Sequence, residues 1–219
     1  MNQIETIIQN NMDVWEACWQ EPFVQELVSG TLPMEKFKGY VLQDGVYLRE
    51  LARVFAMGMS KAPTMAEMQV YYSLLSFVNE NENSTRLQYL NQWEISLQQA
   101  EECVLTDENK AYMQFLMECA EHKSMAELII AVLPCMLSYQ WLAKKMLKTN
   151  PQALQGPYGP FWQDYVTAGY DDACENWRAF AQKQIETADE QQLARLNDIF
   201  RDSSIHEQAF WKMSYQGNQ

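Results

Sequence analysis

The sequence predicts an all-α protein, a compact bundle of about eight helices. Apolar residues recur at spacings of three and four along nearly the whole chain, which is the spacing of one helix face. The alternating polar and apolar pattern of a half-buried strand is missing, and so are Asn-Gly or Asp-Gly turns between strands. The Asp44-Gly45 pair lies inside a helical pattern instead.

Capping boxes indicate where four of the helices start. In such a box, a side-chain oxygen and a Glu or Gln three residues later satisfy free backbone N–H groups. The four pairs are Thr64/Glu67, Ser96/Gln99, Ser124/Glu127 and Thr187/Glu190.

The first three helices follow from apolar stripes and from helix breakers. Residues 3–19 carry one apolar stripe. A short second helix begins at Pro22, which suits a first turn, and ends at Gly30. Pro33 then opens a long helix that reaches about Met59.

The rest of the chain is expected to form further helices over residues 65–92, 97–104, 107–121, 125–148, 161–185 and 188–216. The stretch from Asn150 to Pro160, rich in Pro and Gly, is the one clear loop. Because there is neither a linker nor a repeat, we expect a single domain over residues 1–219.

Composition and charge exclude several classes of protein. No run approaches the roughly 18 apolar residues of a membrane span, and Met1 to Thr6 is polar and acidic, unlike a signal peptide. We therefore expect a cytoplasmic protein with no membrane partner. The formal net charge of −13 would repel a phosphate backbone, so we expect no nucleic-acid partner.

Cysteine and histidine usage argues against disulfides and against metal or haem. The five cysteines are scattered without a C-x-x-C pair, which is typical of reduced thiols. The two histidines, His122 and His206, belong to no E-x-x-H motif, so a di-iron site lacks its ligands. We expect no metal and no cofactor.

Two carboxylates lie on apolar helix faces. Asp44 shares a stripe with Tyr40, Tyr47 and large aliphatic residues, and Glu207 lies between Phe200 and Phe210. A carboxylate there must be paired or face a cavity, and burial would raise its pKa towards neutrality. A purely structural network is the alternative. His206 points about 100° away from Glu207 along the helix and is expected at the surface.

One cysteine stands out by its neighbours. Cys135 lies on an apolar face with Tyr139 one turn later and Pro134 just before it. A proline inside a helix removes a backbone hydrogen bond and costs about 3 kcal/mol, which is tolerated where a cavity must be shaped or where packing needs a kink. Cys135 is therefore either an ordinary core residue or a reactive thiol. Tyr112 begins a similar inward stripe and could line the same pocket as these groups, a pocket suited to a flat, polar heterocycle.

Five short motifs, in order, are similar to those of the TenA/thiaminase-II family. They are P-F-V-Q from Pro22, G-T-L-P from Gly30, Y-V-L-Q-D from Tyr40, A-x-L-P-C-x-x-x-Y from Ala131 and S-S-x-x-E-x-x-F-W-x-M from Ser203. The resemblance covers essentially the whole chain. It implies a heme-oxygenase-like helical bundle without haem, usually a homotetramer, that acts in thiamin salvage.

The resemblance also implies residue roles. It makes Cys135 the nucleophile and Glu207 the proton-transferring carboxylate, with Asp44 as the acid that contacts the aminopyrimidine. It makes pocket residues of the tyrosines Tyr47, Tyr112, Tyr139 and, with a change of register, Tyr165. The implied reaction replaces an amine or thiazolium on the exocyclic methylene of a 4-amino-2-methylpyrimidine by water. The small-molecule partner is then an aminopyrimidine or thiamin.

The chain departs from the family pattern at two places. The segment W-x-x-x-Y reads Trp162 to Val166 here, with Tyr165 one place early, so Tyr165 would serve only if its helix is rotated or shifted. The segment E-x-E-M-x-x-H runs from Glu80 to Arg86, so an arginine replaces the histidine. An alternative to the enzyme is therefore a catalytically weak pyrimidine-binding protein or an indirect regulator.

Overall fold

The regular structure of the described chain is entirely helical, which confirms the all-α prediction. The computed structural model describes residues 2–77 and 83–217, in which there are twelve α-helices and one 3-10 helix, Pro151–Gln155. The α-helices are α1 (Gln3–Asn10), α2 (Met12–Gln20), α3 (Pro22–Ser29), α4 (Met34–Lys61), α5 (Met65–Phe77), α6 (Asn83–Gln92), α7 (Leu97–Glu101), α8 (Asp107–His122), α9 (Met125–Thr149), α10 (Gly159–Tyr165), α11 (Ala168–Ile185) and α12 (Glu190–Gln216).

The nine predicted ranges, counted as about eight helices, become twelve α-helices because three of them are each divided in two. Within residues 3–19 the division is at Asn11, whose buried side chain donates to the carbonyl of Ile7 and so competes with the helix. Within 161–185 it is at Thr167, whose hydroxyl caps α11 by accepting from the backbone of Tyr170. The predicted helix over 65–92 is described as α5 and α6, with residues 78–82 outside the described chain.

Two of the four capping boxes, Ser96/Gln99 and Ser124/Glu127, are closed in both directions, as predicted. At the third, the Thr64 hydroxyl accepts from the backbone of Glu67. The prediction of Thr187/Glu190 is wrong, since Asp189 and Gln192 form the box that starts α12. At Thr187 the chain is still finishing the turn after α11, because the next residue donates to the carbonyl of Ile185.

Helix α9 forms the centre of the bundle and packs against α8, α11 and α12. From Leu128 to Leu137 every residue except Cys135 is buried, so the helix is enclosed on nearly all sides rather than along one stripe. Its length and composition would allow it to cross a membrane, but 72% of its most apolar window is buried among other helices. Burial in the bundle accounts for its apolar sequence.

Polar contacts fix how the helices around α9 are placed. The buried amide of Asn109 on α8 donates to the backbone and side-chain carbonyls of Gln43 on α4, at 2.9 Å each. The phenol of Tyr170 on α11 donates to the carbonyl of Met136 on α9 at 2.8 Å. These bonds lie in the interior, where leaving either partner unsatisfied would cost about 1–3 kcal/mol, so they hold the helices in register.

Two glycines in α4 give a matched test of packing. A Cβ at Gly58 would lie 2.3 Å from the buried ring of Tyr71, whereas a Cβ at Gly39 meets nothing within 4 Å. We expect Gly58→Ala to lower the free energy of unfolding by about 1–3 kcal/mol through overpacking. Gly39→Ala should raise it by about 0.5–1 kcal/mol through helix propensity. Urea denaturation with an unchanged m-value measures both, and equal effects of the two variants would contradict the packing described here.

Candidate active site

A small cavity lies where α4, α5, α9, α10 and α11 meet. Its wall consists of Asp44, Tyr47, Leu48, Leu51, Leu74, Cys135, Met136, Tyr139, Tyr165 and Trp177. The cavity volume is about 20 Å³. That is room for about one water, whereas pockets for drug-sized ligands are usually about 300–1,000 Å³, so wall side chains must move to accept a pyrimidine ring.

Five of the seven predicted site residues meet on this wall: Asp44, Tyr47, Cys135, Tyr139 and Tyr165. They come from three helices, α4, α9 and α10, of which α4 is far in sequence from the other two. The other two, Tyr112 and Glu207, do not line the cavity but adjoin it through Tyr47, because the rings of Tyr47 and Tyr112 stack with centroids 5.0 Å apart. The structure therefore brings all seven into one connected cluster.

Glu207 is held by a short chain of hydroxyl groups. The phenol of Tyr112 donates to the Oε1 atom of Glu207 at 2.7 Å and also lies 3.2 Å from the Ser203 hydroxyl. That hydroxyl donates to the carbonyl of Ala131 on α9 at 2.6 Å. The carboxyl group is therefore tied through α8 and α12 to the turn of α9 that precedes Cys135.

Burial sets the protonation of both carboxyl groups. It raises the pKa of Asp44 to about 7, against the opposing charge of Arg86. It raises the pKa of Glu207 to about 8, opposed by the Tyr112 hydrogen bond and assisted by the negative charge of Asp44. Two carboxyl groups with raised pKa values near neutrality can each exist in either form, which is what proton transfer needs.

The tyrosine hydroxyls around these groups remain protonated donors. Burial raises the pKa values of Tyr47, Tyr112 and Tyr139 well above the usual value for a phenol. Tyr139 lies 3.1 Å, hydroxyl to hydroxyl, from Tyr40. The buried hydroxyl of Tyr47 has the phenol of Tyr112 as a polar neighbour, and this contact adds to the rise in the pKa of Tyr47.

Cys135 differs from most of the other cysteines in its exposure. Cys18, Cys119 and Cys174 are buried, whereas Cys135 is half-buried and opens onto the cavity. Its Sγ atom donates to the carbonyl of Val132 at 3.0 Å. The thiol is therefore held one turn along α9 from Tyr139, on the wall it shares with Asp44.

Pro134 explains part of this geometry. It lies inside α9 and, having no N–H, cannot donate to the carbonyl one turn earlier. In the same turn, the carbonyls of Ala131 and Val132 accept from the side chains of Ser203 and Cys135. The proline thus lies where side chains from two helices replace or supplement the helical hydrogen bonds.

Tyr165 reaches the cavity although it is one place early in the family pattern. It is the last residue of α10, and Val166 is the half-buried cap beyond it. The ring of Tyr165 packs on the ring of Tyr139 with centroids 5.0 Å apart. Tyr165, at the end of α10, therefore lies on the cavity wall, and Val166 does not.

Arg86 approaches the site from α6. A Cβ added to Gly45 would lie 2.7 Å from its Nη1 atom, so the guanidinium lies against the backbone next to Asp44. Its positive charge opposes the rise in the pKa of Asp44. Glycine at position 45, unfavourable inside a helix by about 1 kcal/mol, leaves the space that Arg86 uses. The acidic residues of the same motif, Glu80 and Glu82, lie outside the described residues.

Sequence reasoning missed some residues and misplaced one. Trp177 and Leu74 line the cavity from α11 and α5, and only their apolar helical spacing could have indicated them. The expectation that His206 lies at the surface is wrong. It is half-buried, and its ring stacks on Tyr112 with centroids 5.0 Å apart and planes within 5°. The side chain of His206 is rotated by about 100° around α12 from that of Glu207, and in this direction it meets α8, which packs beside α12.

Comparison with known proteins gives matches across the whole chain. The family model described as TENA/THI-4/PQQC matches residues 8–217. An aminopyrimidine aminohydrolase of Helicobacter pylori is 31% identical over 217 residues, which cover 99% of this chain and 100% of that protein. An aminopyrimidine aminohydrolase of Halalkalibacterium halodurans is 29% identical over 216 residues, covering 98% and 96% of the two chains.

Solved structures agree with these matches. A TenA homologue from P. horikoshii OT3 superposes with a TM-score of 0.86 at 30% sequence identity, over 100% of both chains. The arrangement of helices is therefore that of a TenA protein, as the sequence motifs implied.

The contact between Arg86 and the backbone beside Asp44 can be tested by titration. We expect Arg86→Gln to raise the pKa of Asp44 above about 7, because burial then acts without the opposing positive charge. Gly45→Ala should shift it in the same direction by displacing the guanidinium. Carboxyl NMR, with the Asp44 signal assigned by its loss in Asp44→Asn, measures the shift. Arg49→Gln is the control. It removes a charge from an exposed position of α4, the helix of Asp44, and should leave the Asp44 signal unchanged.

The raised pKa values also predict how stability depends on pH. Folded Asp44 and Glu207 keep their protons in a range where the unfolded chain, with ordinary values of 3.8 and 4.5, has lost them. The free energy of unfolding should therefore fall as pH rises from about 4 to about 8, by up to about 1.4 kcal/mol per pH unit for each group. Urea denaturation at several pH values should give a flatter curve for Glu207→Gln. A curve parallel to that of the wild type would contradict the buried carboxyl group.

Proposed function

The chain belongs to the TENA/THI-4/PQQC family, and on that premise we propose that it is an aminopyrimidine aminohydrolase of thiamin salvage. The reaction replaces the amino group on the exocyclic methylene of a 4-amino-2-methylpyrimidine by water and gives hydroxymethyl-pyrimidine. The observation that carries the proposal is the shared cavity wall of Cys135, Asp44 and three tyrosines. Relatives that match over their whole length bear the same activity in their names.

Cys135 is the proposed nucleophile. Its sulfur forms a bond to an electron-poor carbon of the pyrimidine ring while a ring nitrogen takes up a proton, which interrupts the aromatic system. The electron pair then expels the amine from the exocyclic methylene, and the amine takes up the proton that the thiol lost, so that it leaves as ammonia. Water adds to the methylene carbon and gives a proton to the Glu207 carboxylate. The carbon–sulfur bond then breaks, and the sulfur takes the proton of the ring nitrogen as the ring becomes aromatic again. The position of Cys135 on the cavity wall, one residue after Pro134 in α9, supports this role.

Glu207 is the proposed proton donor and acceptor. With a pKa of about 8 it is mainly protonated at neutral pH, so it can give a proton to a ring nitrogen as sulfur adds, once the wall side chains have moved to admit the ring. The carboxylate that results accepts a hydrogen bond from Tyr112, which stabilises it until it takes a proton from the attacking water. A carboxyl group fixed at the pKa of an exposed glutamate would be ionised and could not begin the reaction.

Asp44 and the phenols are proposed to orient the ring. A carboxyl group can accept from the 4-amino group and share a proton with the neighbouring ring nitrogen, a pairing that fits an aminopyrimidine better than a pyrimidone. The rings of Tyr47, Tyr139 and Tyr165 offer aromatic faces for stacking. The positive charge of Arg86 favours the ionised form of Asp44. An ionised carboxylate accepts hydrogen bonds at both oxygens, so it favours a substrate that presents two donors.

The same residues would act on a second leaving group. Thiamin carries a thiazolium where the degraded substrate carries an amine, and the steps at Cys135 and Glu207 are identical for both. The small volume of the cavity favours the smaller aminomethyl compound, since thiazolium needs a larger displacement of the wall. We also propose that the enzyme works in the cytoplasm as a homotetramer, which light scattering on the purified protein would test.

A direct assay tests the proposal. Purified protein is incubated with 4-amino-5-aminomethyl-2-methylpyrimidine and, separately, with thiamin, and hydroxymethyl-pyrimidine is measured. We expect faster turnover of the aminomethyl compound. Cys135→Ser should reduce kcat by at least about a thousandfold, and Glu207→Gln by about 10²–10⁴-fold, the usual contribution of general acid–base catalysis. Cys103→Ser is the matched control, because Cys103 is equally half-buried but lies outside the cavity.

The outcomes separate enzyme from binding protein. Full activity of Cys135→Ser would contradict the covalent mechanism while leaving hydrolysis in place. A wild type that turns over neither compound, but is stabilised against heat by the pyrimidine, would support a binding protein instead.

A further inference from the structure

His206 lies against the tyrosine that holds Glu207. The imidazole stacks on the ring of Tyr112 with centroids 5.0 Å apart and an angle of only 5° between the planes. Phe115, one turn of α8 beyond Tyr112, packs on the same imidazole at 5.1 Å. His206 is half-buried, so this contact is part of the packing between α8 and α12 and is not made by a loose surface side chain.

The position of the Tyr112 ring depends on these ring contacts. The ring stacks on Tyr47 as well as on His206, and its hydroxyl is bonded to Glu207 and close to Ser203. A tyrosine hydroxyl reaches a carboxyl oxygen at 2.7 Å only over a narrow range of ring positions. A flat partner of matching orientation limits tilting of the ring in a way that an aliphatic side chain of similar size does not.

The imidazole supplies this contact with little charge. Burial lowers the pKa of His206 from its ordinary 6.5, and the exposed Asp202 on the same helix acts in the opposite direction. From α8, His206 is faced by the rings of Tyr112 and Phe115. A mainly neutral ring at neutral pH places no cation near Glu207, whose pKa therefore stays raised.

We propose that His206 is a positioning residue: its ring holds Tyr112 where the phenol donates to Glu207, and so fixes the position of the proton-transferring carboxyl group. The effect of His206 on catalysis rests on the function proposed above, whereas its effect on the position of Tyr112 does not. His206 itself is not expected to contact substrate, since it lies beyond Tyr112 from the cavity wall.

Three variants test this role. In His206→Leu the volume is largely kept and the flat ring is lost; in His206→Phe the ring is kept and the titrating nitrogens are lost. In Tyr112→Phe the hydroxyl is removed outright. Loss of the donor destabilises ionised Glu207, so its pKa should rise above about 8 in both His206→Leu and Tyr112→Phe. Asp44, from α4, also acts on Glu207 and is unchanged in all three variants.

The kinetic readout is the pH profile of kcat. We expect the limb that reports Glu207 to move to higher pH in His206→Leu and kcat to fall about tenfold, with KM changed less than about twofold. His206→Phe should restore the wild-type profile. In the double variant Tyr112→Phe/His206→Leu, the loss should equal that of Tyr112→Phe alone, because both changes break the same hydrogen bond. Additive losses, or equal profiles for the leucine and phenylalanine variants, would overturn the proposal.

A second readout does not need activity. The free energy of unfolding is measured against pH with Glu207 present and replaced by Gln, and the difference reports the protonation of Glu207. In the His206→Leu background the fall in stability should extend to higher pH than in the wild type or in His206→Phe. A wild type inactive on both substrates would refute the proposed function and leave this measurement to decide the role of His206. An unchanged difference curve in His206→Leu would refute that role.

Discussion

Burial of two carboxyl groups among aromatic rings is the constraint on which the site depends. Glu207 is only 2% exposed, and the phenol of Tyr112 donates a hydrogen bond to it in the interior. An ionised carboxylate in such a place is costly, so both Glu207 and Asp44 have pKa values raised to near neutrality. The chemical usefulness of the pair and its cost to stability thus have the same physical origin.

Contacts between the helices around the site offset the cost of burying these carboxyl groups. Ser203 ties α12 to α9, and Asn109 ties α8 to α4, so the four helices that supply Glu207, Cys135, Tyr112 and Asp44 are joined by interior hydrogen bonds. Ring contacts join three of these helices, α4, α8 and α12, from Tyr47 through Tyr112 to His206. A cluster whose helices are joined by both hydrogen bonds and ring contacts can hold polar groups at fixed positions. A purely apolar core of the same size would not need its side chains held in this way.

The two departures from the family pattern have different consequences. Tyr165, one place early in the W-x-x-x-Y motif, reaches the wall from the last position of α10. The phenol is therefore retained by a change of register. Arg86 brings a positive charge to the backbone beside Asp44, and Gly45 leaves the room for it. The positive charge of Arg86 therefore changes the electrostatics around Asp44, while Arg86 itself does not line the cavity.

The sequence by itself determined the helical class, most helix boundaries and the identity of the inward polar residues, because these follow from local spacing and capping. It placed Asp44, Cys135 and Glu207 on apolar faces, and the motifs gave them roles. Tertiary structure alone decided that five predicted residues share one wall, that α9 is enclosed on nearly every side, and that His206 stacks on Tyr112. Helical periodicity gives the direction of a side chain around its own axis, but which neighbour lies in that direction depends on how separate helices pack.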